Sequence, residues 1–395
     1  MKHILMVCYG GGHMKVLAPL YSELVRRYRV TILALTSAGP YMREQGIPSL
    51  GFSDFAFTRS ADIQAYGHQL ATDIPENGPV SREETVAYLG ASFCDLVYQL
   101  GSEQAAFERY REKGRAAFLP VKSLRRMIKE LKVDAVVTTN APRAERAALI
   151  AAKAEGVPTV CINDNLWIRN GLNEIAGRGL ADRICVLTSG VRKRLLEETG
   201  IDGKNVIVTG TPVFDQVKER KRVCGGGNKP RVLLADQVLP TTHPFLDITS
   251  ERSGVDEGVR RELDLLASRG DIEAYLRPHP NQIYNYEAFR SCSVSSSRES
   301  LHERLSKTDV VVTAISTVGI EGKAMGLGLV SIEDTVFSTR ESYERCELST
   351  GIREPSELGP AIFEEFSKVR SAYHEALYEG VASKNIISVL EELIG

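Results

Sequence analysis

Four short stretches carry the residues best equipped for chemistry. His13 directly follows Gly10, Gly11 and Gly12. An imidazole titrates near neutrality, and a helix N-terminus disfavours its cation. A histidine opening a helix therefore suits a general base, and it equally suits a residue that merely caps the glycine turn. Asp164 stands in Asn163-Asp164-Asn165, where its carboxylate is either a second candidate base or a loop-capping group. Arg277-Pro278-His279-Pro280 places a guanidinium fork and an imidazole in a loop stiffened by two prolines. That pair suits a phosphate, and a histidine bonded to a backbone carbonyl is the plain alternative. Ser316 and Thr317 precede Glu321 by about one helical turn. Hydroxyls at a helix start hold anions, and a carboxylate one turn on can accept from ribose hydroxyls. A capped corner with a surface acid fits the same residues.

These residues need elements that place them together. Residues 309–333, DVVVTAISTVGIEGKAMGLGLVSIE, read as a buried strand at Val310 to Val312, a polar turn, a helix from Gly319 to Met325 and a strand from Leu327 to Ile332. In an open parallel sheet, ligands bind at the carboxyl ends of the strands. His3 to Cys8 reads as a strand, the glycines as its turn, and Val16 to Arg27 as a helix with apolar residues at 16, 17, 20, 21, 24 and 25. Val30 to Leu35 is the next strand. Gly46-Ile47-Pro48 turns into a short third strand ending near Phe52. Helical patterns at Glu83 to Leu100 and Gln104 to Phe118 follow a Pro/Gly loop at 73–81. Val121 to Lys132 is a helix with a basic face of Lys122, Arg125, Arg126 and Lys129, which reads chiefly as solvated. Strands at Ala135 to Thr139, Thr159 to Ile162, Asp182 to Leu187 and Val206 to Gly210 complete the first half, with the lone Trp167 after Asp164. The pattern restarts at Arg231 to Ala235, with a strand at Ile272 to Leu276. Helices are expected at Val255 to Arg269, Ser300 to Lys307, Ser338 to Tyr343, Ser356 to Ser367 and Ala372 to Ile394.

The expected fold is α/β, with two Rossmann-like doubly wound parallel-sheet domains facing a cleft. The expected organisation is an N-terminal domain over 1–217 with a helical insertion at about 53–130, a linker at 218–229, a C-terminal domain over 230–370, and a last helix in 371–395 able to pack back across the junction. The linker reading rests on KERKRVCGGGNK.

Composition removes several classes. With 49 Lys and Arg against 51 Asp and Glu, the net charge is −2, without the basic excess of a nucleic-acid binder. Seven cysteines are scattered singly with no CxxC, which suits a reducing cytosol better than a disulfide framework or zinc site. The first apolar run is too short for a signal peptide, and none approaches a membrane span. The expected location is cytoplasmic, with peripheral contact at the inner membrane face left open. No HExxH, DxD, Walker A or GxSxG motif occurs, so no metal is expected.

Several of these residues resemble the GT-B superfamily of glycosyltransferases. CYGGGHMKVLAPLYSEL looks like the glycine-rich opening of the N-acetylglucosaminyltransferases of peptidoglycan synthesis. VTGTPVFD, from Val208 to Asp215, is similar to the close of the N-terminal domain in that group and in nucleotide-sugar 2-epimerases. RPHP and STVGIEGKAMGLG resemble the HP and Ser-rich motifs of bacterial capsule and sialic- or Kdo-type transferases. The resemblance implies that Arg277, His279, Ser316 and Thr317 face donor phosphates and Glu321 the ribose, with His13 as base or on the acceptor side. It implies a CMP- or UDP-linked sugar as co-substrate and a glycan or lipid-linked acceptor. The turn after Ala235, DQVLP, lacks the glycines many such enzymes have there, so Thr241, Thr242 or His243 is expected to share the phosphates. The Gly-Thr-Arg opening and Ser-Gly-Gly pattern of the epimerases are absent. The leading expectation is a transferase of surface polysaccharide or glycoconjugate synthesis. The alternatives are a nucleotide-sugar 2-epimerase or hydrolase, and a non-catalytic binding protein.

Overall fold

Every strand of the first sheet is a short apolar run ending at a polar or glycine turn. The computed structural model describes residues 1–395 apart from 76–77, 167, 169–170, 219–227, 243–247, 253, 280–283, 296–298, 340–341 and 372–376. Trp167, His243, Pro280 and most of the expected linker lie outside the described residues. The chain forms two units: residues 1–187, 192–213 and 380–395 in the first, and residues 188–191 and 214–379 in the second.

The first unit contains β1 (His3–Tyr9), α1 (Gly11–Leu24), β2 (Arg29–Leu35), α2 (Ala38–Glu44), α3 (Ala61–Leu70), α4 (Arg82–Leu100), α5 (Glu103–Lys113) and α6 (Val121–Leu131). Then come β3 (Ala135–Thr139), α7 (Ala144–Ala154), β4 (Thr159–Ile162), α8 (Leu172–Gly177), β5 (Arg183–Val186), most of α9 (Ser189–Thr199) and β6 (Val206–Val208). The strands form one parallel sheet in the order β2-β1-β3-β4-β5-β6. Side chains alternate between its faces. Leu5, Val7, Leu33 and Val136 pack under the helical insertion, while Ile4, Met6, Cys8 and Val137 pack on the other face.

The second unit contains α10 (Asp215–Lys218), β7 (Arg231–Asp236), α11 (Val255–Ser268), β8 (Glu273–Pro278), β9 (Ser293–Val294), α12 (Leu301–Ser306), β10 (Val310–Thr313), α13 (Thr317–Ala324), β11 (Gly328–Ile332), β12 (Thr350–Ile352) and α14 (Leu358–Arg370). Its parallel sheet runs β12-β11-β10-β7-β8-β9. Both sheets have the doubly wound order, with the direction of winding reversing between β1 and β3 and between β7 and β10. The last helix, α15 (Ala382–Ile394), belongs to the first unit, where Ile386, Ile387, Val389 and Leu390 join the core of α1.

Several elements differ from expectation. The third strand near Phe52 is a single parallel bridge between Leu33 and Leu50. Pro48 has no N–H to continue a ladder, and the N–H groups of Phe52 and Ser53 turn to the Glu84 carboxylate instead. Residues 335–339 form a turn, because the Thr335 and Ser338 hydroxyls accept from nearby backbone N–H groups and compete with a helix. The final helix begins at Ala382, ten residues later than expected. Helices α3 and α8 and the edge strands β9 and β12 were not anticipated.

Candidate functional site

At the carboxyl edge of the first sheet, β1 ends in a glycine turn that only glycine tolerates well. Gly10 has φ 112°, and its N–H donates to Leu35 O at 3.3 Å. Helix α1 starts at Gly11 with no side chain capping its first turn, leaving those N–H groups available to an anion. His13, on that turn, is half-buried, and its Nδ1 is buried with no hydrogen-bond partner. Asp164, after β4, lies near enough to His13 to feel its charge. Burial pushes the Asp164 carboxyl up, and His13 and the Asn165 amide, bonded at 3.2 Å, pull it back. The fold thus places the two candidate bases within electrostatic reach of each other. Asn163 is buried instead of facing a ligand: it accepts from Asn140 Nδ2 at 2.8 Å and donates to Asn165 O at 2.6 Å.

A second acid at this edge was missed. Glu145, in the first turn of α7, is fully buried. Its Oε1 accepts from the Tyr9 N–H at 2.5 Å and from the Thr139 hydroxyl at 3.5 Å, while Oε2 is buried without a partner. Burial pushes its carboxyl up to about 7, against the opposing pull of those donors. Beside it, Arg143 donates to the Tyr9 hydroxyl at 3.2 Å and lies 5.2 Å from that ring's centre. The signal was readable: Glu145 shares a helical face with Ala148, Leu149 and Ala152, so the face that buries them buries the acid.

In the second unit, Ser316 caps α13, its hydroxyl accepting from Val318 N–H at 3.4 Å. The turn is held twice more. Ser316 N–H donates to Thr313 Oγ1 at 3.2 Å, and the buried Tyr343 hydroxyl donates to Ser316 O. Thr317 is exposed at the first helical position. Glu321 pairs with His302 at 3.0 Å, so its carboxylate already has a partner on α12.

Arg277 and His279 leave the end of β8, which is separated from β10 by β7. The two motifs are therefore two strand spacings apart, about 10 Å. Arg277 donates to Ser295 Oγ at 3.1 Å and Glu299 O at 3.3 Å, anchoring the β9 segment. His279 is exposed, and its backbone N–H donates to Asp236 O at 3.0 Å. Between the motifs, the Asp236 carboxylate takes two contacts from Arg260 Nε at 2.9 and 3.0 Å and one from the Tyr286 hydroxyl at 2.7 Å. Thr242 bridges Thr249 in a short antiparallel contact.

The basic face of α6 has internal partners. Arg125 and Lys129 both pair with Glu155, Arg126 covers the Phe57 ring, and Lys122 covers Tyr98. Among the described residues, no helix is long and apolar enough to cross a membrane, and no group of three or more His, Cys, Asp or Glu residues is placed to hold a metal.

No family model matches the sequence, and no curated protein matches it. Solved structures do. A putative UDP-N-acetylglucosamine 2-epimerase from Listeria monocytogenes superposes with a TM-score of 0.55 at 15% identity, over 99% of this chain and 96% of that one. The fold is GT-B. A UDP-GlcNAc 2-epimerase from Methanocaldococcus jannaschii, solved with UDP-GlcNAc and UDP, gives 0.52 at 11% identity over 99% and 100%. The glycotransferase of kitacinnamycin gives 0.52 at 17% identity over 99% and 94%. At such identities the likeness speaks for the GT-B architecture of two Rossmann-like domains, and activity must be argued from the site.

Proposed function

We propose that the protein is an enzyme that breaks the bond between the anomeric carbon of a sugar and the phosphate of its nucleotide carrier. The observation that carries this reading is the buried Nδ1 of His13 on the first turn of α1, which has no hydrogen-bond partner among the described residues, at the carboxyl edge of the first sheet where the half-buried Asp164 follows β4. A base of this kind removes a proton from the attacking group as the carbon–oxygen bond to phosphate breaks and its electron pair leaves with the nucleotide. In the second unit, the α13 N-terminus at Ser316 and Thr317, with His279, is the proposed nucleotide-phosphate site. A UDP-linked N-acetylhexosamine is the first donor to test, since structural neighbours were solved with UDP-GlcNAc or UDP. Arg277 supports that site indirectly, by holding the segment after β9.

Two reactions share this bond cleavage. Transfer to a glycan or lipid-linked acceptor follows from the sequence motifs. Epimerisation at C2 of the sugar is favoured by the number of 2-epimerases among the structural neighbours. Incubation of the purified protein with UDP-GlcNAc in D2O, followed by NMR, separates them. Deuterium at C2 and a second hexosamine epimer without acceptor mark the epimerase. UDP release that waits for an added acceptor marks the transferase. If neither occurs with UDP-, CMP-, GDP- or dTDP-sugars, and no nucleotide raises the melting temperature, the enzymatic reading fails.

A further inference from the structure

Under the helical insertion of the first unit lies a cavity of about 140 Å³, floored by Thr36 at the end of β2 and walled by Ile74, Pro79, Val80, Tyr88 and Arg115. None of these residues serves the proposed reaction. The lining is mainly apolar, and among the described residues two polar groups reach it without partners. The Tyr88 residue is 4% exposed, and its hydroxyl, within electrostatic reach of the Tyr9 phenol, makes no hydrogen bond of good geometry among the described residues. The nearest phenol is Tyr9, with ring centres 5.8 Å apart. Arg115 is half-buried and, among the described residues, makes no ion pair or hydrogen bond through its side chain. Among the described residues, the one carboxylate on the lining, Glu84, is already occupied by Phe52 N–H at 3.0 Å, Ser53 N–H at 2.8 Å and the Ser53 hydroxyl at 2.9 Å.

Buried hydroxyls in folded proteins are bonded, so an orphan on a cavity wall points to a partner the cavity receives. An unpaired guanidinium beside apolar walls favours a carboxylate or phosphate, which it can bind through two parallel hydrogen bonds. A void of this size takes about one aromatic ring. We propose that this cavity is a binding subsite for a small amphipathic anion, whose aryl or short branched alkyl body fills the apolar walls, whose polar atom receives the Tyr88 hydroxyl, and whose carboxylate or phosphate pairs with Arg115. The subsite is built by the insertion and the end of β2 and stands apart from the reaction assigned to His13 and Asp164.

The test is titration calorimetry with phenyl phosphate, benzoate, phenol and inorganic phosphate, on wild type and on Arg115→Met, Tyr88→Phe and Val80→Trp. At least one of phenyl phosphate and benzoate binds wild type about tenfold or more tighter than phenol or inorganic phosphate, and the preferred one tells phosphate from carboxylate. Arg115→Met brings that probe down to the level of phenol. Val80→Trp, which fills the void, removes binding of all aryl probes. No binding of any probe to wild type overturns the proposal, as does undiminished binding of the anions to Arg115→Met. Because the Arg115 side chain makes no hydrogen bond or ion pair among the described residues, its variant keeps the fold and decides the matter even if the tryptophan variant does not.

Discussion

Glu145 Oε1 accepts the backbone N–H of Tyr9 at 2.5 Å, tying the first turn of α7 to the last residue of β1. The carboxyl therefore helps set where the Gly10 turn begins, and its protonation matters to the fold. Its titration is pushed from 4.5 to about 7 in the folded chain. A raised carboxyl contributes stability below its unfolded value, and that contribution is lost as pH rises to the folded value. The shift corresponds to about 3 kcal/mol. Between pH 5 and pH 8, wild type loses about 2–3 kcal/mol of unfolding free energy relative to Glu145→Gln, measured by urea titration. Parallel pH profiles for the two proteins contradict the assignment.

Arg260 is fully buried among carboxylates, with Asp236 at 2.9 Å, Asp256 at 3.0 Å and Glu257 at 3.4 Å, and it lies 4.3 Å from the Tyr284 ring centre. Removing only the cation leaves Asp236 buried with the Tyr286 hydroxyl as its remaining side-chain donor. Arg260→Met costs about 3–5 kcal/mol. Arg260→Met combined with Asp236→Leu recovers much of that loss. A double variant no more stable than the single one goes against this account, and chemical denaturation reads both.

Arg277 and His279 are neighbours with opposite proposed duties. His279→Ala abolishes the rise in melting temperature given by the bound nucleotide. Arg277→Ala loses two bonds to the β9 segment and costs about 1–3 kcal/mol. If Arg277→Ala keeps its melting temperature yet no longer responds to nucleotide, the roles assigned here are reversed.

Tyr343→Phe removes the donor to Ser316 O. The half-buried carbonyl keeps the Gly319 N–H at 2.9 Å and loses its second donor, costing about 0.5–1 kcal/mol, and nucleotide binding weakens because the α13 cap is less firmly held. Ser316→Ala loses about 1 kcal/mol through the cap itself. A thermal-shift titration of Tyr343→Phe with the same nucleotide affinity as wild type argues against a positioning role.

The sheets were legible because their strands are buried on both faces, so Val310 to Val312 and Ala135 to Thr139 show as unbroken apolar runs. The glycine turn, His13 and the Ser316 corner were legible because turn chemistry is local. Partners were not. Nothing in the order of residues says that Glu321 meets His302, that Arg277 turns to Ser295, or that Glu145 reaches Tyr9 across 136 positions. Edge strands as short as β9 carry too few residues to show a period. The run from Ser338 failed because its hydroxyls bond their own backbone.

The first unit is not finished when its sixth strand is made. Its remaining helix, α15, is encoded after the whole of the second unit, and the Lys2 ammonium bonds the carbonyls of Ile394 and Gly395. On the ribosome, the face of α1 that Ile386 and Leu390 cover stays bare while some 170 residues emerge, on the order of ten to thirty seconds of synthesis. The second unit can complete its core first. A polypeptide that ends before residue 380 lacks the helix that covers this apolar seam on α1.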